Sequence, residues 1–339
     1  MPFSQSPLWV VTSYFNPARY ERRRRNFKAF RRLLGAPLLA VELAAPGATQ
    51  LDADDADILI TLTGEDGVWQ KERLLNIGIA ALPPHVAYVA WVDCDVVFSD
   101  PDWTRRATSH LEAHGGLLQP FERALHLPAD LDPETVTRDE CGRAVPLLAG
   151  MAIPKAVQTG SFETNEASLA KAAKLRGTPG YYAAMHQYNC YGMAWAAPRA
   201  VIERCGHYDR NILGGGDAVH VFAALSRLDE FWSGRNNTEA HKRDIRDWSA
   251  RAAAAGALSP LQYLPGDIYH LWHGHMAKRN YRGRNDILCR HDYDPLRDLR
   301  IGPSGAWEWT APAGPLARDV REYFFARDED GVASAATAA

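Results

Sequence analysis

Residues Val86 to Val92 form a nearly unbroken apolar and aromatic run, and two carboxylates, Asp93 and Asp95, follow at once with only Cys94 between them. A run that is apolar on both alternating faces belongs to a strand covered on both sides, as in a parallel sheet between layers of helices. This feature narrows the fold more than any other. It predicts a chain in which strands and helices alternate, with two charges placed where a buried strand ends.

The alternation is legible. "LWVVTSYF" (Leu8 to Phe15) reads as a strand, and "NPARYERRRRNFKAFRRLLG" as a helix with Asn16 as N-cap, Pro17 at the first helical position and Gly35 as terminator. "PLLAVELA" and "ADILITLT" read as strands, "WQKERLLNIGIAALP" as a helix stopped by Pro83 and Pro84, "DPDWTRRATSHLEAHGG" as a short helix and "LLQPF" as a strand. This order implies an α/β fold, Rossmann-like, with a mostly parallel, doubly wound central sheet and helices on both faces.

From about Glu122 to Gly180 proline, glycine and charge interrupt the pattern, which predicts an excursion from the sheet serving as a lid or acceptor-side loop. Regularity returns in "CYGMAWAAPRAVIERCGHYD", a strand into a helix, then in "NILGGGDAVHVFAAL", a glycine turn opening a helix, and in a polar helical stretch from about Asn237 to Ala257. One domain over residues 1–327 is expected, with a disordered tail at 328–339.

Composition limits the function classes. A formal net charge of -3 argues against a nucleic-acid surface. Five scattered cysteines with no C-x-x-C spacing fit reduced thiols in a cytoplasmic setting. No segment approaches the roughly 18 uninterrupted apolar residues of a membrane helix, and the N-terminus lacks the basic start of a secretory signal. The arginines of "ERRRRNFKAFRRLL" accompany apolar residues at helical spacing and read as the wet face of the first helix. Peripheral attraction to a membrane carrying a lipid-linked acceptor is the alternative.

Side chains at i and i+2 of an extended segment point to the same side, so Asp93 and Asp95 are expected to converge at the carboxyl end of a buried strand, where open α/β sheets bind ligands. Two adjacent carboxylates repel unless a cation or a proton compensates them, and Mg²⁺ or Mn²⁺ does so while accepting phosphate oxygens. In "LGGGDAVHVF" the glycines Gly214 to Gly216 let backbone approach a ligand closely. Asp217 then stands at a helix N-terminus, where its negative charge is favoured and a plain cap explains it. "YHLWHGHMAKRNYRGR" places His270, His273 and His275 beside Arg279, Tyr281, Arg282 and Arg284.

Taken in order, "WQKERLLNIGIAALP", "VDCDVVFSDPDW" and "YGMAWAAPRAVIERCGHYDRNILGGGD" resemble the metal-dependent, nucleotide-sugar glycosyltransferases of the GT-A fold. The nearest likeness is to the β-1,4-galactosyltransferase type and related bacterial polysaccharide enzymes. The resemblance implies that Asp95 ligates Mn²⁺ or Mg²⁺ and that Asp93 contacts the ribose or the metal through water. It implies Lys71 and Asn76, with Arg73 less favoured, as nucleotide contacts, and Arg279, Tyr281 and Arg284 as a basic loop closing over the diphosphate. A late histidine completes the metal shell: His273 first, His270 second, strand alternation allowing only one. Asp217 becomes the general base of an inverting transfer from a UDP-sugar to a hydroxyl of a glycan or lipid-linked saccharide. The family more often has an acidic residue just before this Asp, where Gly216 stands here. The alternatives are a sugar nucleotidyltransferase, a carbohydrate-binding protein with a degenerate site, or a zinc hydrolase using the H-x-x-H-x-H cluster.

Overall fold

Strand β1, Leu8–Phe15, covers the expected residues, and its alternation sets the layering. Leu8, Val10 and Tyr14 enter one core and Trp9, Val11 and Phe15 the other. In this computed structural model, which describes residues 5–64, 67–162, 174, 190–232, 235, 237–279 and 283–331, β1 lies inside a seven-stranded sheet. It pairs in parallel with β2 (Leu38–Ala44) and β4 (Tyr88–Val92), and β3 (Ile58–Thr63) extends the parallel edge. On the other side β9 (Ala194–Pro198) runs antiparallel between β4 and β6 (Leu117–Gln119), and β10 (Leu261–Tyr263) closes that edge parallel to β6. Helices α1 (Glu21–Leu34) and α3 (Trp103–His114) fill one face of the sheet. Helix α2 (Lys71–Ala80), with the helices Arg199–Cys205 and Gly216–Ala224, fills the other.

Helix α1 ends as expected at Gly35, whose left-handed φ of 66° suits glycine. It begins four residues late. The Asn16 side chain accepts from the Tyr20 N–H and donates to the Tyr20 carbonyl, so residues 16–19 form a turn instead of the first helical coil. The helix is capped instead by Asp330, whose carboxylate accepts from the N–H groups of Glu21 (2.9 Å) and Arg22 (2.7 Å).

Three expectations are revised here. The excursion from about 122 to 180 is ordered secondary structure in its first part. Strands β7 (Arg123–His126) and β8 (Leu148–Met151) join β5 (Val96–Phe98) and β11 (Asp267–His270) in a second sheet of order β5-β11-β7-β8. Residues 163–173 and 175–189 lie outside the described residues. The tail is also ordered at its start: Glu329 is 1% exposed and ion-paired to Arg23 and Arg327. The α1 arginines are only partly a wet face. Arg22 and Arg32 donate to carbonyls of the 129–136 segment, and Arg25 pairs with Asp132 and Glu134. Among the described residues no helix is long and apolar enough to cross a membrane.

Candidate active site

The buried strand β4 ends at Val92, and the chain turns instead of continuing extended: the Val96 N–H donates to the Asp93 carbonyl at 3.2 Å. This turn carries the chain from the central sheet to the second one. It also separates the two carboxylates that an extended segment would have pointed together. Asp93 exchanges hydrogen bonds with the Met193 backbone and faces Lys71, whereas Asp95 faces the end of β11. The answer to the charge repulsion is therefore two sets of partners.

Register explains the Asp95 side. Strand β11 pairs His270 with Val96, and the Leu271 N–H donates to the Asp95 carbonyl. His270 Nε2 lies 3.5 Å from Asp95 Oδ1, His273 Nε2 lies 3.2 Å from Asp95 Oδ2, and the two Nε2 atoms are 3.2 Å apart. The alternation argument admitted one histidine. It fails because β11 ends at His270, and the chain bends through His273 and Gly274, whose φ is 87°. His275 packs against Trp272 and is not a member of the cluster.

The chemistry of this donor set fits a divalent cation. One carboxylate and two imidazoles place their ligand atoms within 4.8 Å of one another. Asp95 Oδ1 is buried with no hydrogen-bond partner, an unsatisfied acceptor that a cation would engage. Burial raises the Asp95 pKa, with His270 opposing and Asp93 reinforcing the rise. Burial lowers that of His270, and burial together with Arg279 holds His273 well below its ordinary value, which favours the neutral rings that ligation requires.

The second group lies where α2 begins. Lys71 Nζ sits 2.6 Å from Asp93 Oδ1 and 2.9 Å from Asp217 Oδ2. Burial works against its charge, but Asp217 and Asp93 outweigh burial and hold the ammonium well above its usual pKa. The plain-cap reading of Asp217 does not hold. Gly215, with φ of 96°, is the N-cap, no side chain caps this helix, and the Asp217 carboxylate is turned to Lys71. Burial raises the Asp217 pKa against the pull of Lys71.

Gly216, in the position where an acid was expected from the resemblance, has a steric cause. A Cβ there would lie 2.1 Å from Glu72 Oε1. A second carboxylate thus stands beside Asp217 but arrives from α2, a contribution the sequence did not disclose. Glu72 is 4% exposed and its Oε2 has no hydrogen-bond partner; with His207, His220 and Asp217 the residue lines a small cavity of about 10 Å³. Burial and Asp217 push its pKa up to about 8. A carboxyl that keeps its proton when folded and loses it when unfolded makes the folded state bind more protons. Stability should therefore fall as pH rises from the ordinary carboxylate range through about 8. Glu72→Gln, a fixed mimic of the neutral acid, should flatten that decline, leaving the variant roughly 3 to 5 kcal/mol more stable than wild type at pH 8.5 relative to pH 5. Parallel urea curves for both proteins at the two pH values would refute this.

The remaining expected residues are scattered. Asn76 donates to the His207 carbonyl and accepts from the His207 N–H, and Arg73 binds the Gly305 carbonyl and Asp209, so both serve to pin the 206–209 segment. Arg279 is 7% exposed and reaches His273 Nε2 at 2.9 Å. Arg284 lies over Gly214, and Arg235, unmarked by any sequence signal, lies over Gly215. Tyr281 and Arg282 lie outside the described residues.

No family model matches the chain, and no curated protein matches it. Solved structures align with it at low similarity. S. aureus TarS 1-349 in complex with UDP-GlcNAc aligns at TM-score 0.39 and 12% identity over 79% of this chain, which spans 59% of that chain's length. The same protein in complex with UDP aligns at TM-score 0.36 and 12% identity, covering 84% and 68% of the two chains. The 4-diphosphocytidyl-2C-methyl-D-erythritol synthase from Anaerococcus prevotii aligns at TM-score 0.30 and 11% identity, covering 78% and 88%. At this level of likeness the functional reading rests on the chain's own side chains, set on a mixed α/β scaffold with a central, mostly parallel sheet.

Proposed function

We propose that this chain is a GT-A-type glycosyltransferase that moves a sugar from a nucleoside diphosphate sugar, with UDP as the favoured nucleotide, to a hydroxyl of a glycan or lipid-linked saccharide. One observation carries the reading: a carboxylate and two imidazoles converge beside the carboxyl end of the central strand β4, next to a partly buried carboxylate–ammonium–carboxylate group. Asp95, His270 and His273 would hold the ion. Mixed imidazole and carboxylate donors suit Mn²⁺ better than Mg²⁺, which prefers oxygen alone. When bound, the ion neutralises charge on the departing diphosphate.

The chain's own groups do the rest. Asp93 is fixed by Lys71 and the Met193 N–H, which leaves it placed to face a ribose. Asp217 takes the proton of the acceptor hydroxyl while that oxygen attacks the anomeric carbon opposite the diphosphate, an inverting displacement. Burial raises the Asp217 pKa, and Lys71 opposes that rise, favouring the carboxylate that this step requires. Arg279 and Arg284 are the described cations assigned to the diphosphate, with Tyr281 beyond the described residues.

A thermal-shift panel of nucleotide sugars with and without Mn²⁺ tests this reading. A UDP-sugar at 100 times its Kd should stabilise the protein by about 2.7 kcal/mol, and only with the ion present. A panel with no nucleotide effect removes the transferase reading. Stoichiometric Zn²⁺ in purified protein would favour a hydrolase built on the same donors.

A further inference from the structure

We propose that Glu329, close to the C-terminal end of the described chain, is a positioning residue that fixes the His273 imidazole so that Nε2 is presented toward Asp95 and His270. This rests on the metal reading of that cluster and adds to it a residue outside the donor set.

The argument begins with which nitrogen of His273 carries the hydrogen. His273 Nε2 faces both Arg279 Nη2 at 2.9 Å and Asp95 Oδ2 at 3.2 Å; the shorter contact is to a guanidinium, which can only donate, and this assigns Nε2 as the accepting nitrogen. In the neutral ring the hydrogen must then sit on Nδ1. That Nδ1 is buried, has no hydrogen-bond partner within normal distance, and faces Glu329 Oε2 at 3.7 Å. A movement of about 0.5 Å brings it to hydrogen-bond distance. A ligating histidine that donates its other ring N–H to a carboxylate has its orientation and basicity set by that partner.

Glu329 is held firmly enough to do this. Arg23 grips it with two bonds, Nη2 to Oε1 at 2.7 Å and Nε to Oε2 at 2.9 Å, and Arg327 Nη2 adds a contact to Oε1 at 2.9 Å. The backbone is seated as closely: a Cβ on Gly274 would lie 3.0 Å from Glu329 Cα and 3.1 Å from the Asp328 carbonyl oxygen. On the far side Asp330 caps α1, and the Asp328 N–H donates to the Tyr20 hydroxyl. The segment is therefore strapped over the bend that carries His273, with its one buried carboxylate aimed at the ring.

The test uses the full chain and two variants, Glu329→Ala and Glu329→Gln. In metal-free, ¹⁵N-labelled wild type, imidazole correlation spectra should show His273 as the Nδ1–H tautomer alone. Glu329→Ala should show both tautomers, because a buried N–H left without an acceptor costs about 1–3 kcal/mol. Mn²⁺ titration followed by electron paramagnetic resonance should give an affinity 10-fold to 100-fold weaker for Glu329→Ala, the usual range for removing such a partner. Glu329→Gln, which retains an accepting oxygen, should keep the single tautomer and recover part of the affinity. If the alanine variant does not fold, the glutamine variant decides alone: Mn²⁺ affinity within twofold of wild type overturns the proposal. Lower melting temperatures with unchanged tautomer and unchanged Mn²⁺ affinity would make Glu329 a purely structural residue. Wild-type protein that takes up no Mn²⁺ would instead defeat the metal reading, a result separable from either outcome above.

Discussion

On the proposed transferase reading, Asp95→Ala should abolish Mn²⁺-dependent binding of a UDP-sugar and with it sugar transfer. Asp95 is the only carboxylate in the three-residue donor set, so its loss leaves two neutral imidazoles and no anion facing the cation. Removing an outer partner of a metal ligand costs 10-fold to 100-fold in affinity, and removing the charged ligand itself should exceed about 100-fold. The variant should nevertheless fold. Asp95 contributes a partly buried carboxyl whose Oδ1 is buried without a hydrogen-bond partner and whose pKa is raised by desolvation, a destabilising arrangement in the absence of a cation. The backbone bond from Leu271 to its carbonyl survives the substitution. Metal-free melting should accordingly be unchanged or slightly higher, while the Mn²⁺-dependent thermal shift disappears. A variant that keeps both the shift and the turnover would take the metal away from this site.

Asp217→Asn should lower turnover by about 10²-fold to 10⁴-fold, the contribution of a positioned general base, with donor affinity retained. The amide is the informative replacement because the space is closely fitted. A Cβ on Gly192 would lie 2.7 Å from Asp217 Oδ2, so the side chain fills its site and asparagine preserves that packing. Only the proton acceptor is lost. Lys71 then keeps Asp93 as its sole carboxylate partner at 2.6 Å, which maintains the Asp93 side of the site. Single-turnover kinetics with saturating donor would measure the chemical step directly. Near-normal turnover would make Asp217 the anchor of Lys71 and nothing more.

Local pattern made much of the scaffold legible. β1, β2, β3, α2, β4 and α3 fall where apolar periodicity placed them, and Gly35 ends α1 in the left-handed conformation. These signals succeed because burial on both faces of a sheet imposes composition residue by residue. The start of α1 departs from the local pattern: Asn16 and Pro17 offer a cap, but the helix begins where Asp330 supplies two charge-assisted bonds to the N–H groups of Glu21 and Arg22. The segment after Glu122 does leave the central sheet, but its strands are not legible in the sequence because β7 and β8 are short and lie in a second sheet whose partners, β5 and β11, are distant in sequence.

The sequence by itself determined that a buried strand ends in acids, that a glycine turn precedes Asp217, and that histidines cluster late in the chain, since each is written in adjacent residues. Only the tertiary structure decided how these groups pair. A turn at residues 93–95 sends one acid to Lys71 and the other to two histidines, Glu72 comes alongside Asp217, and Glu329 comes alongside His273. The physical reason is distance along the chain. Electrostatic partnership falls off over a few ångströms of space but ignores sequence separation, so residues hundreds of positions apart set each other's charge without leaving a local mark.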